Sequence, residues 1–189
     1  MTGTGPTSGR PPGGAVAWRS LIERTVAALW PGLPDGARWI EAQVQAESGG
    51  DPNAVSPSGA QGLLQLMPGT AREMAVAVED AFEPTENLRG GVTYLKRQYE
   101  ALDRRVPSDR DALRWSLAAY NCGRGYVERA LGLAEMDGGP LWYAFDPNWR
   151  YLFHRSASVR GRWADYRQVR DYVERIERHF HRIATGGAA

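Results

Sequence analysis

The stretch Gln45–Ala71, QAESGGDPNAVSPSGAQGLLQLMPGTA, decides how this chain is read. It opens at the end of a helical pattern with Glu47-Ser48 and runs through a loop rich in Gly, Pro, Asn and Ser. It closes on Gly62-Leu63-Leu64-Gln65 and the helix-starting Met67-Pro68-Gly69-Thr70. Upstream, Ile40, Val44 and Glu47 fall at i, i+4 and i+7, so Glu47 ends an apolar stripe. A carboxylate there is partly desolvated, which favours its protonated form, as a general acid at neutral pH requires. On pattern alone the same glutamate also reads as a surface residue beside a helix end. Gly49–Gln61 carries two glycines, Asp51-Pro52-Asn53, Ser56-Pro57 and Gly59, all turn formers, and reads as an irregular loop. It is a plain connector unless Gly59, Gly62 and Leu63-Leu64 pack backbone tightly near Glu47. Pro68 suits the first turn of a helix reaching about Val78.

Outward from this stretch the periodicity is helical. Leu21, Ile22, Val26 and Leu29 share one face of a segment over Val16–Trp30, ended by Pro31-Gly32-Leu33-Pro34. Asp35 is placed to cap the helix that leads to Ser48. Pro84-Thr85-Glu86-Asn87 starts a helix to about Asp103, with Leu88, Val92, Leu95, Tyr99 and Leu102 as its buried stripe. Ser108 and Asp111 form a capping box for the next helix, on which Leu113, Leu117 and Tyr120 point inward. Asn121-Cys122-Gly123 ends it. From Gly132 to Trp163 the pattern weakens into a long loop, where Trp142, Tyr143, Trp149 and Tyr151 either line a groove or pin the loop down. A last helix over about 165–183 has Tyr166, Val169, Val173, Ile176 and Phe180 at three-four spacing. Its arginines alternate with Asp171, Glu174 and Glu177, a salt-bridged solvated face. Strand signal is confined to a short hairpin near Gly59–Leu66, so the fold class is mainly α.

Composition narrows the function classes. The 189 residues, 42% hydrophobic and 24% charged, fit one helical domain over 15–184, with tails at 1–14 and 185–189. A net charge of +1 sets up no field for nucleic acid or membrane. No apolar run approaches the ~20 residues of a membrane span, so membrane insertion is not expected. The N-terminus lacks the basic start and apolar core of a secretory signal. A single cysteine, Cys122, excludes an internal disulfide framework. His179 and His181 lie two apart on a helix and turn away from each other, so no metal site is expected.

Glu47-Ser48, Gly62-Leu63-Leu64-Gln65 and Ala119-Tyr120-Asn121 together resemble the signature of the soluble lytic transglycosylase family, with a weaker match near Tyr172-Val173. The resemblance spans roughly residues 36–180. It implies a lysozyme-like α+β fold that cleaves the glycan strands of bacterial peptidoglycan without a cofactor. By position, Glu47 matches the family's single catalytic acid and base. Ser48, Ser56, Gln65 and Met67 match residues beside the scissile bond. Tyr120 matches a tyrosine that hydrogen-bonds the catalytic carboxylate, and Asn121 its neighbour. Asn87, Gly91, Tyr94 and Leu95 match a structural helix. Gln168 and Tyr172 match the family's closing Glu-Thr-Arg-x-Tyr-Val segment, as candidate substrate contacts.

The chain departs from the family at several points. Leu64 replaces a Met, a volume-conserving change, and Cys122 stands where Ala is common. Gln168 replaces the Glu, keeping hydrogen bonding but not charge, and the stretch from Gly123 to Gln168 is longer than usual. The reaction implied is non-hydrolytic cleavage between N-acetylmuramic acid and N-acetylglucosamine to a 1,6-anhydro end, by a monomer acting on the wall. Without a signal, the chain resembles phage endolysins or virion-associated enzymes; a trimmed periplasmic enzyme is the alternative origin. A goose-lysozyme-like muramidase would need a second carboxylate, with Glu73 and Asp51 as candidates. A non-catalytic wall-binding or virion structural protein is the remaining alternative.

Overall fold

The computed structural model describes residues 14–106, 108–136 and 166–186. Its helices are α1 (Arg19–Leu29), α2 (Gly36–Glu47), α3 (Pro68–Glu73), α4 (Pro84–Leu102), α5 (Asp109–Cys122), α6 (Arg124–Met136) and α7 (Tyr166–Ala184). Short 3-10 turns at Gly14–Trp18 and Asp103–Arg105 precede α1 and follow α4. Extended pairing among the described residues is limited to isolated antiparallel bridges, Val55 with Gln61 and Gln61 with Leu66. The mainly α expectation holds, and the short hairpin falls where the sequence put it.

The chain forms two compact units, 1–93 with 176–189 and 94–175, so α4 and α7 each contribute to both. In the first unit the apolar face of α1 (Ile22, Val26) packs with that of α2 (Trp39, Ile40, Val44). Leu63, Leu64 and Leu66 from the loop and Leu88 and Val92 from α4 complete this core, each at most 1% exposed. Burying each such side chain contributes roughly 1.5–3 kcal/mol before entropy is counted. Phe180 of α7 stacks on Trp39 with ring centroids 3.9 Å apart. In the second unit α5 and α6 pack together, burying Leu113, Trp115, Leu117, Val127 and Leu131. Leu95, Leu102, Val169 and Val173 are buried in the same unit.

Several local expectations need correction. The segment over Val16–Trp30 begins as a 3-10 turn, and Val16 is exposed. Asp35 occupies the N-cap of α2 but makes no side-chain cap; held at φ 53°, it accepts from Arg38 instead, at 3.0 Å. Helix α3 stops at Glu73 rather than Val78. There Ala75 turns left-handed (φ 55°), its N–H donates to Arg72 O, and Val76 N–H donates back to Ala71 O at 2.9 Å. This pair of bonds is a Schellman closure with alanine where glycine is usual. The strain is offset by burying Val76 against Gly90 of α4. Tyr99 is only half-buried and its hydroxyl donates to Asp109 at 3.0 Å. Burial, then the Asp109 partner, pushes that phenol up to about 12.

The Ser108 cap of α5 is present, accepting from Asp111 N–H at 3.2 Å. Helix α6 had not been expected. Gly123, at φ 95°, breaks the chain for one residue, after which Val127, Ala130 and Leu131 restart the helical period on a buried face. Residues 132–136, at the start of the stretch read as a long loop, are therefore helical. The aromatic residues of that stretch, Trp142, Tyr143, Trp149 and Tyr151, lie outside the described residues. So do the expected tails, apart from Gly14 and Thr185-Gly186.

Candidate active site

Glu47 is the last residue of α2, half-buried, one step beyond the fully buried Ile40–Val44 stripe. The next residue organises everything after it. The Ser48 hydroxyl donates to Leu63 O at 2.9 Å, lies 3.2 Å from Val44 O, and accepts from Gly50 N–H at 3.1 Å. One side chain thus binds the helix end, the turn and the far side of the loop. Such a clamp gives the loop carbonyl of Leu63 and the turn N–H of Gly50 a common partner beside Glu47. The N-terminal 3-10 turn covers the same corner: Trp18 Nε1 donates to Gly50 O at 2.8 Å, and Ala15 N–H to Gln45 Oε1 at 3.2 Å. Arg19 makes a two-pronged ion pair with the buried Glu41, both contacts at 2.8 Å, holding α1 on α2.

The loop is closed from the opposite side by Asn87, buried in the first turn of α4. Its Oδ1 accepts from Leu64 N–H at 2.8 Å, and its Nδ2 donates to Gln61 O at 2.9 Å and Ala81 O at 2.8 Å. One amide thus bonds three backbone groups at once, and Gln61 O also accepts from Leu66 N–H at 3.0 Å. Gly62 allows this approach. At φ 76° it sits in the left-handed region, and a Cβ there would lie 2.3 Å from Asn87 Nδ2 and 2.7 Å from Ala81 O. Gly91 similarly gives α4 a flat surface for Leu64, whose Cδ1 would be 2.4 Å from an added Cβ. The expected tight backbone packing therefore centres on Gly62, with Asn87 as its partner. Gly59 has open space around it.

The other residues singled out in this loop divide by role. Gln65, at φ 46°, donates from Nε2 to Ala54 O at 3.0 Å and Gly62 O at 2.9 Å, bracing the loop from within. Ser56 Oγ accepts from Ala60 N–H at 3.0 Å and pairs with Ser58 Oγ at 3.0 Å, shaping the turn. Met67 is 44% exposed and offers an apolar surface just before α3. Of the two candidates for a second carboxylate, Asp51 accepts from Asn53 N–H at 2.9 Å in a local turn, and Glu73 is exposed on α3.

Tyr120, Asn121, Gln168 and Tyr172 belong to the second unit. Tyr120 is half-buried near the end of α5, its ring 5.1 Å from that of Tyr94. Asn121, Gln168 and Tyr172 meet at a pocket of about 450 Å³, whose walls also carry Arg167, Asp171 and Arg175. Tyr172 is 2% exposed, so its ring is mainly core; Arg175 lies over it at 5.9 Å. The arginines on this wall had been assigned only to a solvated face, because lining a pocket depends on α5 as well as on helical spacing. Cys122 is a half-buried free thiol, and desolvation pushes it up to about 12.

A family model described as the transglycosylase SLT domain matches residues 37–139. A membrane-bound lytic murein transglycosylase F from Alcanivorax borkumensis is 38% identical over 103 residues, covering 54% of this chain and 21% of that protein. Its namesake from Vibrio cholerae is 33% identical over 153 residues, covering 77% and 28%. Among solved structures, the 70 kDa soluble lytic transglycosylase of Escherichia coli matches with TM-score 0.62 and 24% identity, over 88% of this chain and 25% of that one. An inactive glutamate-to-glutamine variant of lytic transglycosylase Slt from Pseudomonas aeruginosa matches at 0.64 and 24%, over 92% and 25%. This chain spans about a quarter of the length of these proteins. The lysozyme-like, mainly α fold expected from the sequence is the one it shares with these structures. With its Glu47 loop and more than half of its length inside the matched region, the chain belongs to the transglycosylase SLT domain family.

Proposed function

We propose that this chain is a peptidoglycan lytic transglycosylase in which Glu47 is the one acid and base. In the first step the protonated Glu47 gives its proton to the oxygen linking N-acetylmuramic acid to N-acetylglucosamine, and that bond breaks. In the second step the Glu47 carboxylate takes the proton of the muramic C6 hydroxyl while O6 bonds to C1. The product carries a 1,6-anhydro ring, no water is consumed, and Glu47 ends in its starting state. The observation that carries this reading is the double anchoring of the loop beside Glu47, by Ser48 on Leu63 O and Asn87 on Leu64 N–H. A half-buried carboxylate needs that rigidity to meet a bound sugar in one geometry. Ser48 and Gln65 then act as braces, while Met67 and Ser56 supply surface toward the sugar.

The muramidase alternative has less support, since Asp51 is held in its own turn and Glu73 is exposed. The relatives' names support a wall enzyme of bacterial type acting on murein; they lend no support to a phage endolysin. No helix among the described residues is long and apolar enough to cross a membrane. The test is mass spectrometry of muropeptides released from purified peptidoglycan. Products ending in 1,6-anhydromuramic acid, about one water lighter than hydrolysis products, are expected. Reducing-end products would replace this mechanism with hydrolysis.

A further inference from the structure

Glu47 and Ser48 lead straight into two left-handed glycines, Gly49 at φ 63° and Gly50 at φ 85°. Glycine has the widest backbone freedom, so this corner is soft unless groups from outside hold it. The 3-10 turn Gly14–Trp18 holds it on both sides of Glu47. Before Glu47, Ala15 N–H donates to Gln45 Oε1 at 3.2 Å, on the last turn of α2. After it, Trp18 Nε1 donates to Gly50 O at 2.8 Å, and Gly50 N–H in turn donates to Ser48 Oγ at 3.1 Å. The two backbones are in close approach: a Cβ on Gly50 would lie 2.3 Å from Gly14 C and 2.6 Å from Ala15 N. Gly14, Ala15 and Gly50 are all buried there. The family match begins at residue 37, so it includes Gln45 and Gly50 but neither group that holds them.

We infer that the turn Gly14–Trp18 is a strap that positions the catalytic carboxylate, with Trp18 as a positioning residue for the transglycosylase reaction. The strap acts through Gln45, Gly50 and Ser48 rather than on the sugar. One carboxylate has to serve two atoms in succession, the glycosidic oxygen and the muramic C6 hydroxyl. A displacement of about 1 Å at such a group is enough to slow the reaction. Sugar binding draws on the loop surface at Met67 and Ser56, so loosening the strap falls on kcat and spares KM. The assignment rests on the transglycosylase reading above and extends its machinery upstream of the family match.

Trp18→Phe keeps an aromatic ring and removes the donor. On soluble glycan strands it is expected to lower kcat per folded molecule roughly fivefold, the worth of one neutral hydrogen bond, with KM within about twofold of wild type. Trp18→His, which restores a ring N–H, should recover part of the loss. Val16→Ala, at an exposed position of the same turn, should match wild type. Amide exchange supplies a readout that needs no substrate. In Trp18→Phe the Gly50 N–H should exchange roughly fivefold faster, while the Leu64 N–H, held by Asn87, should not change. Wild-type kcat in Trp18→Phe, a loss that only tracks the unfolded fraction, or unchanged exchange at Gly50 would overturn the positioning role and leave the transglycosylase reading intact. A folded wild-type protein that releases no muropeptide would overturn that reading and the positioning role with it.

Discussion

The loop beside Glu47 and the pocket between α5 and α7 are built on opposite principles. The loop has almost no regular structure, and its backbone is held by side chains reaching in from elsewhere: Ser48 from the end of α2, Asn87 from α4 and Gln65 from within. Its Leu63, Leu64 and Leu66 are buried at 1% or less. The pocket is the reverse, regular helices whose backbones need no outside help, displaying exposed side chains such as Arg167, Gln168 and Arg175. Where backbone groups depend on a buried partner, losing the partner costs stability. Where only exposed side chains differ, the fold is indifferent and ligand preference changes. The first region is suited to holding one carboxylate in place, and the second to adjusting what is recognised.

The largest expected effect separates chemistry from support. Glu47→Gln should lower wall-degrading activity by about a thousandfold or more, since general acid-base groups contribute on the order of 10²–10⁴ per step. Its melting temperature should move little, because the side chain is isosteric and half-buried. Full activity in this variant would remove Glu47 from the chemistry. Next, Asn87→Ala should cost about 3 kcal/mol in denaturant unfolding, because it removes one hydrogen bond from each of Leu64 N–H, Gln61 O and Ala81 O. An unchanged midpoint would mean the loop stands without its α4 anchor.

Gly62→Ala against Gly59→Ala sharpens the same point. Both glycines have positive φ, but only Gly62 has atoms within clashing distance of a Cβ. Gly59→Ala should cost about 1 kcal/mol for backbone strain alone and Gly62→Ala at least twice that. Equal costs would show that strain, not close approach, governs the loop.

A smaller effect is expected in the second unit at alkaline pH. The Cys122 thiol rises from 9.0 to about 12 in the folded chain. The folded state therefore holds this proton more tightly, and the associated stability is complete below about pH 9 and is lost as pH climbs toward 12. Tyr99, raised from 10.0 to about 12, acts in the same sense. Unfolding midpoints of wild type and Cys122→Ala should accordingly converge between pH 9 and 12. A constant offset would show that the thiol does not titrate on unfolding. Smallest in stability is Gln168→Glu, expected to lie within about 0.5 kcal/mol of wild type as an exposed change. A large thermal shift would show that Gln168 supports the helix rather than the pocket.

Much of the site was legible because its signals are local. Glycines that admit left-handed backbone, a proline at the start of α3 and a serine after Glu47 each announce their conformation within a few residues. Asn87 was assigned a structural part, although its two acceptors and one donor could not be named from spacing. Helix α6 was missed because Gly123 looks like a terminus, and whether a chain stops or restarts after a glycine depends on the surface waiting for it. For α3 the reverse happened: its pattern continued to Val78, but burial of Val76 against Gly90 drew the chain into a left-handed turn at Ala75.

By itself, then, the sequence determined the helical class, the apolar stripe leading to Glu47, the loop that follows and the family it belongs to. Those depend on periodicity and turn chemistry, which act over a few residues. Tertiary structure alone decided which buried amide holds the loop, which charged side chains share a pocket and where α3 ends. These depend on groups distant in the chain, such as Leu64 and Asn87, reaching hydrogen-bonding distance, and no short-range pattern encodes that.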